Sequence, residues 1–157
     1  VDDFHEYQFV IAGAPAIDYS FYEQFICNEN VHFVSGKTYD LLSLSYAALV
    51  TSGTATLETA LLNVPEVVCY KGNRISYEIA KRVIKLKYIS LVNLIMDKPV
   101  VTELIQGDLT TENLKKELHK LTTYVHRYEV FKNYVLLREK LGGKGASEKT
   151  AALIIGE

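Results

Sequence analysis

The sequence predicts an α/β fold, a doubly wound parallel sheet followed by a helical tail. Up to Leu91, short runs of β-branched and aromatic residues alternate with segments of helical periodicity, the pattern of βαβ units. Beyond Leu91 the alternation stops and longer helical patterns take over. No flexible linker, internal repeat or low-complexity tract interrupts the chain. Residues 1–110 therefore read as one sheet-bearing domain and 111–157 as C-terminal helices.

Taken in order, the strand-like runs fall at 7–12, 31–34, 47–51, 66–70 and 88–91. Four of them are short and almost wholly apolar, as strands covered by helices on both faces should be. Helical segments lie between them at 18–27, 39–46, 54–63 and 75–86. In the tail, 111–121 places Leu114, Leu118 and Leu121 on one face, and 124–141 is a long second helix. Gly142-Gly143 stops that helix, and Ser147 is suited to N-cap a third.

At 157 residues, 48% hydrophobic and 23% charged, the chain has the size and composition of one globular domain with a single core. A net charge of -2 argues against general nucleic-acid binding, which calls for a strong basic excess. Cys27 and Cys69 form no Cys-x-x-Cys, so neither a disulfide framework nor a zinc site is expected, and a reducing cytoplasm fits. His5, His32, His119 and His126 are scattered, and only the last two share a helical region, seven apart with no third ligand nearby, so no metal is expected. No run reaches the roughly 18 consecutive apolar residues of a membrane span, and no signal-peptide pattern opens the chain. A start on Val1, with a strand reached within six residues, reads as a piece of something longer.

The stretch most suggestive of chemistry is SGTATLE, residues 52–58. Thr51 ends a predicted strand and Thr54 opens a predicted helix, so Ser52-Gly53 forms the rim where doubly wound sheets bind ligands. A helix N-terminus offers unpaired N–H groups and partial positive charge, both suited to phosphate. Gly53 allows close backbone approach, and Ser52 and Thr54 add hydroxyls. Glu58 lies one turn further on the same face, wrong for phosphate but a good acceptor for a pair of sugar hydroxyls. The plainer alternative is a strand–helix turn of small residues with an incidental glutamate. There is no GxGxxG or Walker pattern, and Gly13-Ala14-Pro15 reads only as a turn.

Longer stretches narrow the choice. LVTSGTATLETALLNVPEVVCY, AKRVIKLKYISLVNLI and VVTELIQGDLTTENL closely resemble the C-terminal half of the lipid-A-disaccharide synthase family. That family orders a Ser-Gly-Thr-Ala-x-x-Glu turn, a Pro-x-Val-Val-x-Tyr strand, a basic helix and Tyr-Ile-Ser-Leu-x-Asn-Leu. All four occur here in that order between residues 31 and 121. GASEKTAALI fits the family's final helices, and the flank YQFVIAGAPAID is similar to its Bacteroides-like branch.

The resemblance implies a Rossmann-like sheet forming the C-terminal half of a GT-B glycosyltransferase, the half that holds the nucleotide-sugar donor. It implies transfer of 2,3-diacylglucosamine from UDP-2,3-diacylglucosamine to 2,3-diacylglucosamine 1-phosphate (lipid X). The products are a tetraacyl disaccharide 1-phosphate and UDP, in lipid A synthesis at the inner face of the Gram-negative inner membrane. By similarity, Ser52, Gly53, Thr54 and Ala55 hold the diphosphate and Glu58 the ribose. Val34 and Ser35 lie by the uracil, Tyr70 lines the pocket, and Asn93 contacts the donor sugar or phosphate. The family's Gly-Ser-Arg motif is absent here, as is the N-terminal domain expected to bring the acceptor and general base, so the chain alone should not catalyse. No cofactor is implied. The partners implied are the two lipid substrates, the N-terminal domain on which residues 111–157 pack if not on 1–110, an anionic membrane surface and a possible second copy.

Between Lys71 and Lys87 stand Arg74, Lys81, Arg82 and Lys85, with Ile75, Ile79, Val83 and Leu86 forming an opposed apolar stripe. Such a helix either docks on the sheet with a solvated basic face or rests its cations on anionic lipid or substrate phosphate, at about 1 kcal/mol per cation. Two rival functions stay open. One is another GT-B enzyme using UDP-N-acetylglucosamine, of the 2-epimerase or lipid II glycosyltransferase type, and the other is a non-catalytic UDP-binding or membrane-docking module.

Overall fold

A computed structural model of the chain describes residues 2–72, 87–142 and 145–156. Five parallel strands carry the fold: β1 (Phe9–Gly13), β2 (Val31–Ser35), β3 (Ala48–Thr51), β4 (Glu66–Tyr70) and β5 (Thr102–Ile105). They form two sheets. β1 pairs with β2 from Phe9↔Val31 to Gly13↔Ser35, and β4 lies between β3 and β5, with Thr51↔Cys69 and Tyr70↔Ile105 at one rim.

The connecting helices are α1 (Tyr19–Glu23), α2 (Thr38–Leu44), α3 (Thr54–Leu61) and α4 (Leu91–Met96). The tail consists of α5 (Thr111–Thr122), α6 (Tyr124–Leu141) and α7 (Ala146–Ile155). The expected strand at 88–91 is not formed. Ser90 instead caps α4, its hydroxyl accepting the Asn93 N–H at 3.3 Å, and Asp97 ends that helix with a left-handed backbone (φ 49°). The fifth strand follows Pro99, at Thr102–Ile105. Ser147 is not an N-cap either: Gly145 (φ 105°) holds that position, and Ser147 sits inside the first turn of α7. The predicted helix at 75–86 lies outside the described residues, as do Arg74, Lys81, Arg82 and Lys85.

β4 is the axis of the core because both its faces are covered. Val68 packs with Ala60 of α3, Val92 of α4 and Val130, Tyr134 and Leu137 of α6. Val67 packs on the opposite side with Leu104 and Leu121 of α5. Tyr134 and Leu137 are fully buried, and the Tyr134 hydroxyl donates to the Val64 carbonyl at 3.2 Å. Arg127 of α6 stacks 3.6 Å over the Tyr46 ring and donates to the Tyr46 and Leu121 carbonyls at 2.8 and 3.0 Å. At these points α5 and α6 are joined to the sheet-bearing region by core packing as well as by surface polar contacts. Among the described residues no helix is long and apolar enough to cross a membrane.

Candidate functional site

The carboxyl ends of β3, β4 and β5 share one rim, and the turn after β3 is its best-formed feature. Gly53 takes φ 145° and ψ −161°, a conformation open essentially to glycine alone, and nothing lies within 4 Å of where a Cβ would stand. No side chain caps α3. The Thr56 N–H is taken by the Gly53 carbonyl at 3.3 Å, and the remaining uncapped N–H groups of the first turn suit an anion. Thr54 and Gly53 are exposed, while Ala55 is partly buried. Thr56 and Thr59 are buried with their hydroxyls returned to the Gly53 and Ala55 carbonyls at 2.9 and 2.7 Å, which leaves them no free proton for a ligand.

Ser52 behaves differently from the expectation of a hydroxyl donor to phosphate. Its Oγ donates to the Ile89 carbonyl at 3.1 Å, so its proton is committed to holding the turn. Behind Ile89 stands a polar network that the sequence did not announce. Glu103, on β5, accepts from the Ile89 N–H and the Ser90 N–H at 3.0 Å each, from the Ser90 hydroxyl at 2.7 Å and from Asn93 Nδ2 at 2.9 Å. Asn93 is 1% exposed. Its Oδ1 accepts from the Val100 and Val101 N–H groups at 2.8 and 3.0 Å, and its Nδ2 also donates to the Val101 carbonyl at 2.9 Å. Both lone pairs and both protons of the amide are used. Asn93 has no atom left for a donor sugar or phosphate: it ties α4 to β5, and Ser90 and Ile89 connect that tie to Ser52.

Glu58 sits one turn into α3 and is partly buried. Tyr39, at the start of α2, stands near it, and its interaction with the Glu58 carboxylate raises the phenol pKa above its ordinary value. Tyr39 was not singled out in the sequence. The available signal was its place in the first turn after β2, at the same rim but 19 positions from Glu58. Ala55 and Glu58 border a cleft of about 1060 Å³ that runs between β1 and β3. Val34, Ser35, Ser52, Gly53, Thr54, Tyr70 and Asn93 do not line that cleft. Val34 and Ser35 end β2 on the far side of β1, and Tyr70 ends β4 with its ring folded over Gly72. Among the described residues no three His, Cys, Asp or Glu side chains are grouped to hold a metal.

The geometry thus offers an anion seat at Gly53–Ala55 and a carboxylate one helical turn away. Comparison with known proteins gives this arrangement a context. The profile of the lipid-A-disaccharide synthetase family matches residues 11–154. The chain belongs to that family. It is 36% identical over 152 residues to the lipid-A-disaccharide synthase of Syntrophus aciditrophicus (strain SB), a match covering 94% of this chain and 40% of the relative. The corresponding enzyme of Anaeromyxobacter sp. (strain K) is 35% identical over 153 residues, covering 95% of this chain and 40% of the relative. That of Geobacter metallireducens is 37% identical over 120 residues, covering 76% and 31%. The chain spans about two-fifths of the length of the first two synthases.

Proposed function

We propose that this chain is the donor-binding part of a lipid-A-disaccharide synthase and that it holds the UDP of UDP-2,3-diacylglucosamine. The observation that carries the reading is the uncapped, glycine-led N-terminus of α3 with Glu58 one turn behind it, in a chain of this family. The β-phosphate lies against the N–H groups that follow Gly53, where the helix dipole favours negative charge. Glu58, near Tyr39, accepts the ribose hydroxyls, and the backbone near Val34 and Ser35 faces the uracil. Tyr70 stands at the same rim, at the end of β4. Ser52 and Asn93 serve the site by fixing its backbone.

In the complete enzyme a hydroxyl of lipid X attacks the anomeric carbon of the donor. The new C–O bond forms as the bond from that carbon to the β-phosphate oxygen breaks, with inversion. The hydroxyl proton passes to a base outside this chain, and the electron pair of the broken bond stays on UDP. Stabilising that leaving charge with N–H groups already aimed at it is the contribution asked of α3. The acylated substrates place the reaction at the inner face of the inner membrane, with the enzyme bound peripherally.

Replacing Glu58 tests the ribose assignment. Glu58→Ala is expected to weaken UDP binding about tenfold or more, the worth of hydrogen bonds to a charged acceptor. The urea midpoint should stay close to that of the parent, since Glu58 is only partly buried. Unchanged UDP affinity, measured by calorimetry, removes Glu58 from the site.

A further inference from the structure

Gln106 holds a backbone conformation that its residue type does not favour. It follows β5 directly, at the rim, with φ 51°. Among the described residues two other non-glycines take positive φ, Asn63 and Asp97. Both are types that tolerate the left-handed region, and both close a helix, α3 and α4. Gln106 has neither excuse. A glycine stands one position on, yet the left-handed turn falls on Gln106 rather than on Gly107. Strain kept where the chain could shed it cheaply points to work for the side chain.

That side chain is engaged. Its Nε2 donates to the carbonyl of Gly72, 34 residues earlier, at 3.3 Å. Gly72 is itself constrained. A Cβ there would stand 2.8 Å from the Tyr70 hydroxyl oxygen and 3.1 Å from the ring carbon that bears it, so a larger residue would displace the ring that lies over it. The turn that leaves β4 is thus fastened at Gly72 by two contacts, and between Tyr70 and Gly72 stands Lys71, exposed. The register Thr51↔Cys69 brings the exits of β3 and β4 side by side, about 4.8 Å apart. Gly53 opens α3 from one exit, and Lys71 stands on the other. Lys37, which leaves β2, is separated from α3 by β1 and the cleft.

We propose that the turn leaving β4 is a second wall of the diphosphate seat, with Lys71 as its cation and Gln106 as the residue that positions it. The proposal rests on the reading of residues 52–58 as a UDP site. The N–H groups of α3 offer partial charge only. A lysine supplies a full one, on a flexible four-carbon stem that can cross one strand spacing. As the bond from the anomeric carbon to the β-phosphate oxygen breaks, charge collects on UDP. A cation already in place is worth more at that moment than in the ground state. Gln106 touches no ligand. It acts through the Gly72 peptide, which keeps Lys71 beside the β3 exit.

Inorganic pyrophosphate, with uridine as the uncharged control, tests the wall in the 157-residue chain. Followed by backbone amide NMR, pyrophosphate should move the amides of Lys71 and Gly72 together with those at 53–55, and uridine should leave 71–72 in place. Lys71→Ala should weaken pyrophosphate binding about tenfold, as loss of a charge-assisted bond does, and flatten its salt dependence. Gln106→Gly separates positioning from folding. Glycine relieves the left-handed backbone, so the urea midpoint should hold while pyrophosphate affinity falls about fivefold. Affinity equal to the parent's in either variant overturns the proposal. Movement confined to one of the two turns overturns the shared seat, as does pyrophosphate that moves no amide at millimolar concentration. The UDP reading stands or falls separately: UDP that still moves the amides at 52–58 keeps it, whatever Lys71 does.

Discussion

The chain loses stability as the pH rises from about 5 to about 9, and Glu66→Gln abolishes that loss. Glu66 opens β4 and is 1% exposed, and neither carboxyl oxygen has a hydrogen-bond partner among the described residues. An unpaired charge at such a position is far costlier than a neutral acid. Burial therefore pushes its pKa up to about 9, from an ordinary value of 4.5. Between those values the folded chain keeps a proton that the unfolded chain has released. The contribution of Glu66 is intact below pH 4.5 and disappears as the pH climbs through 9, at about 1.4 kcal/mol per pH unit. The Tyr134 phenol beside it is held protonated by its own burial and by Glu66, so it adds no charge in this window. Glu117 titrates elsewhere: its burial opposes ionisation, but bonds from Lys120 and Thr102 win and its pKa falls below the ordinary value. Urea unfolding at pH 5, 7 and 9 measures the difference. The glutamine variant should match the parent at pH 5 and exceed it by several kcal/mol at pH 8, and parallel profiles for the two proteins would refute the buried, neutral acid.

Asn93→Ala is expected to destabilise the chain by about 4 kcal/mol. The alanine leaves the Val101 N–H, the Val101 carbonyl and part of Glu103 without partners, and leaves the Val100 N–H only the Lys98 carbonyl at 2.9 Å, in a site that is otherwise closed. Each orphaned buried group costs about 1–3 kcal/mol, and some of that is recovered by relaxation. The damage should also travel. Because Glu103 and Ser90 fix the peptide that receives the Ser52 hydroxyl, the amide signals of Ser52, Gly53 and Thr54 should move in the folded variant. A loss under about 1 kcal/mol with those signals unmoved would mean that the network is not what holds the turn.

Local pattern and tertiary structure agree where a segment's neighbours are nearby in sequence. Glu66–Tyr70 is a strand and Tyr124–Leu141 a helix at the residues the sequence indicates, because Pro65 bounds the first and Gly142 ends the second with φ 79°. The turn at 52–54 was legible for the same reason: glycine between a strand and a helix is a local signal. The strand expected at 88–91 misreads an apolar run whose conformation is set by Glu103, more than ten residues later. Asn93 looked like a ligand contact for a related reason. Its four partners lie on the loop and strand that follow it, which no periodicity announces. Tyr39 comes near Glu58 only once α2 and α3 are placed, and the cleft between β1 and β3 is a property of sheet order, which residue spacing does not encode.

Titrating the chain with UDP, and with AMP as control, while following backbone amides by NMR tests the assignment of the α3 turn most directly. UDP should shift the amides of residues 52–58 and 34–36, and AMP should leave them in place. If UDP at millimolar concentration moves none of the amides at 52–58, the glycine-led turn of α3 is not a diphosphate seat in this chain.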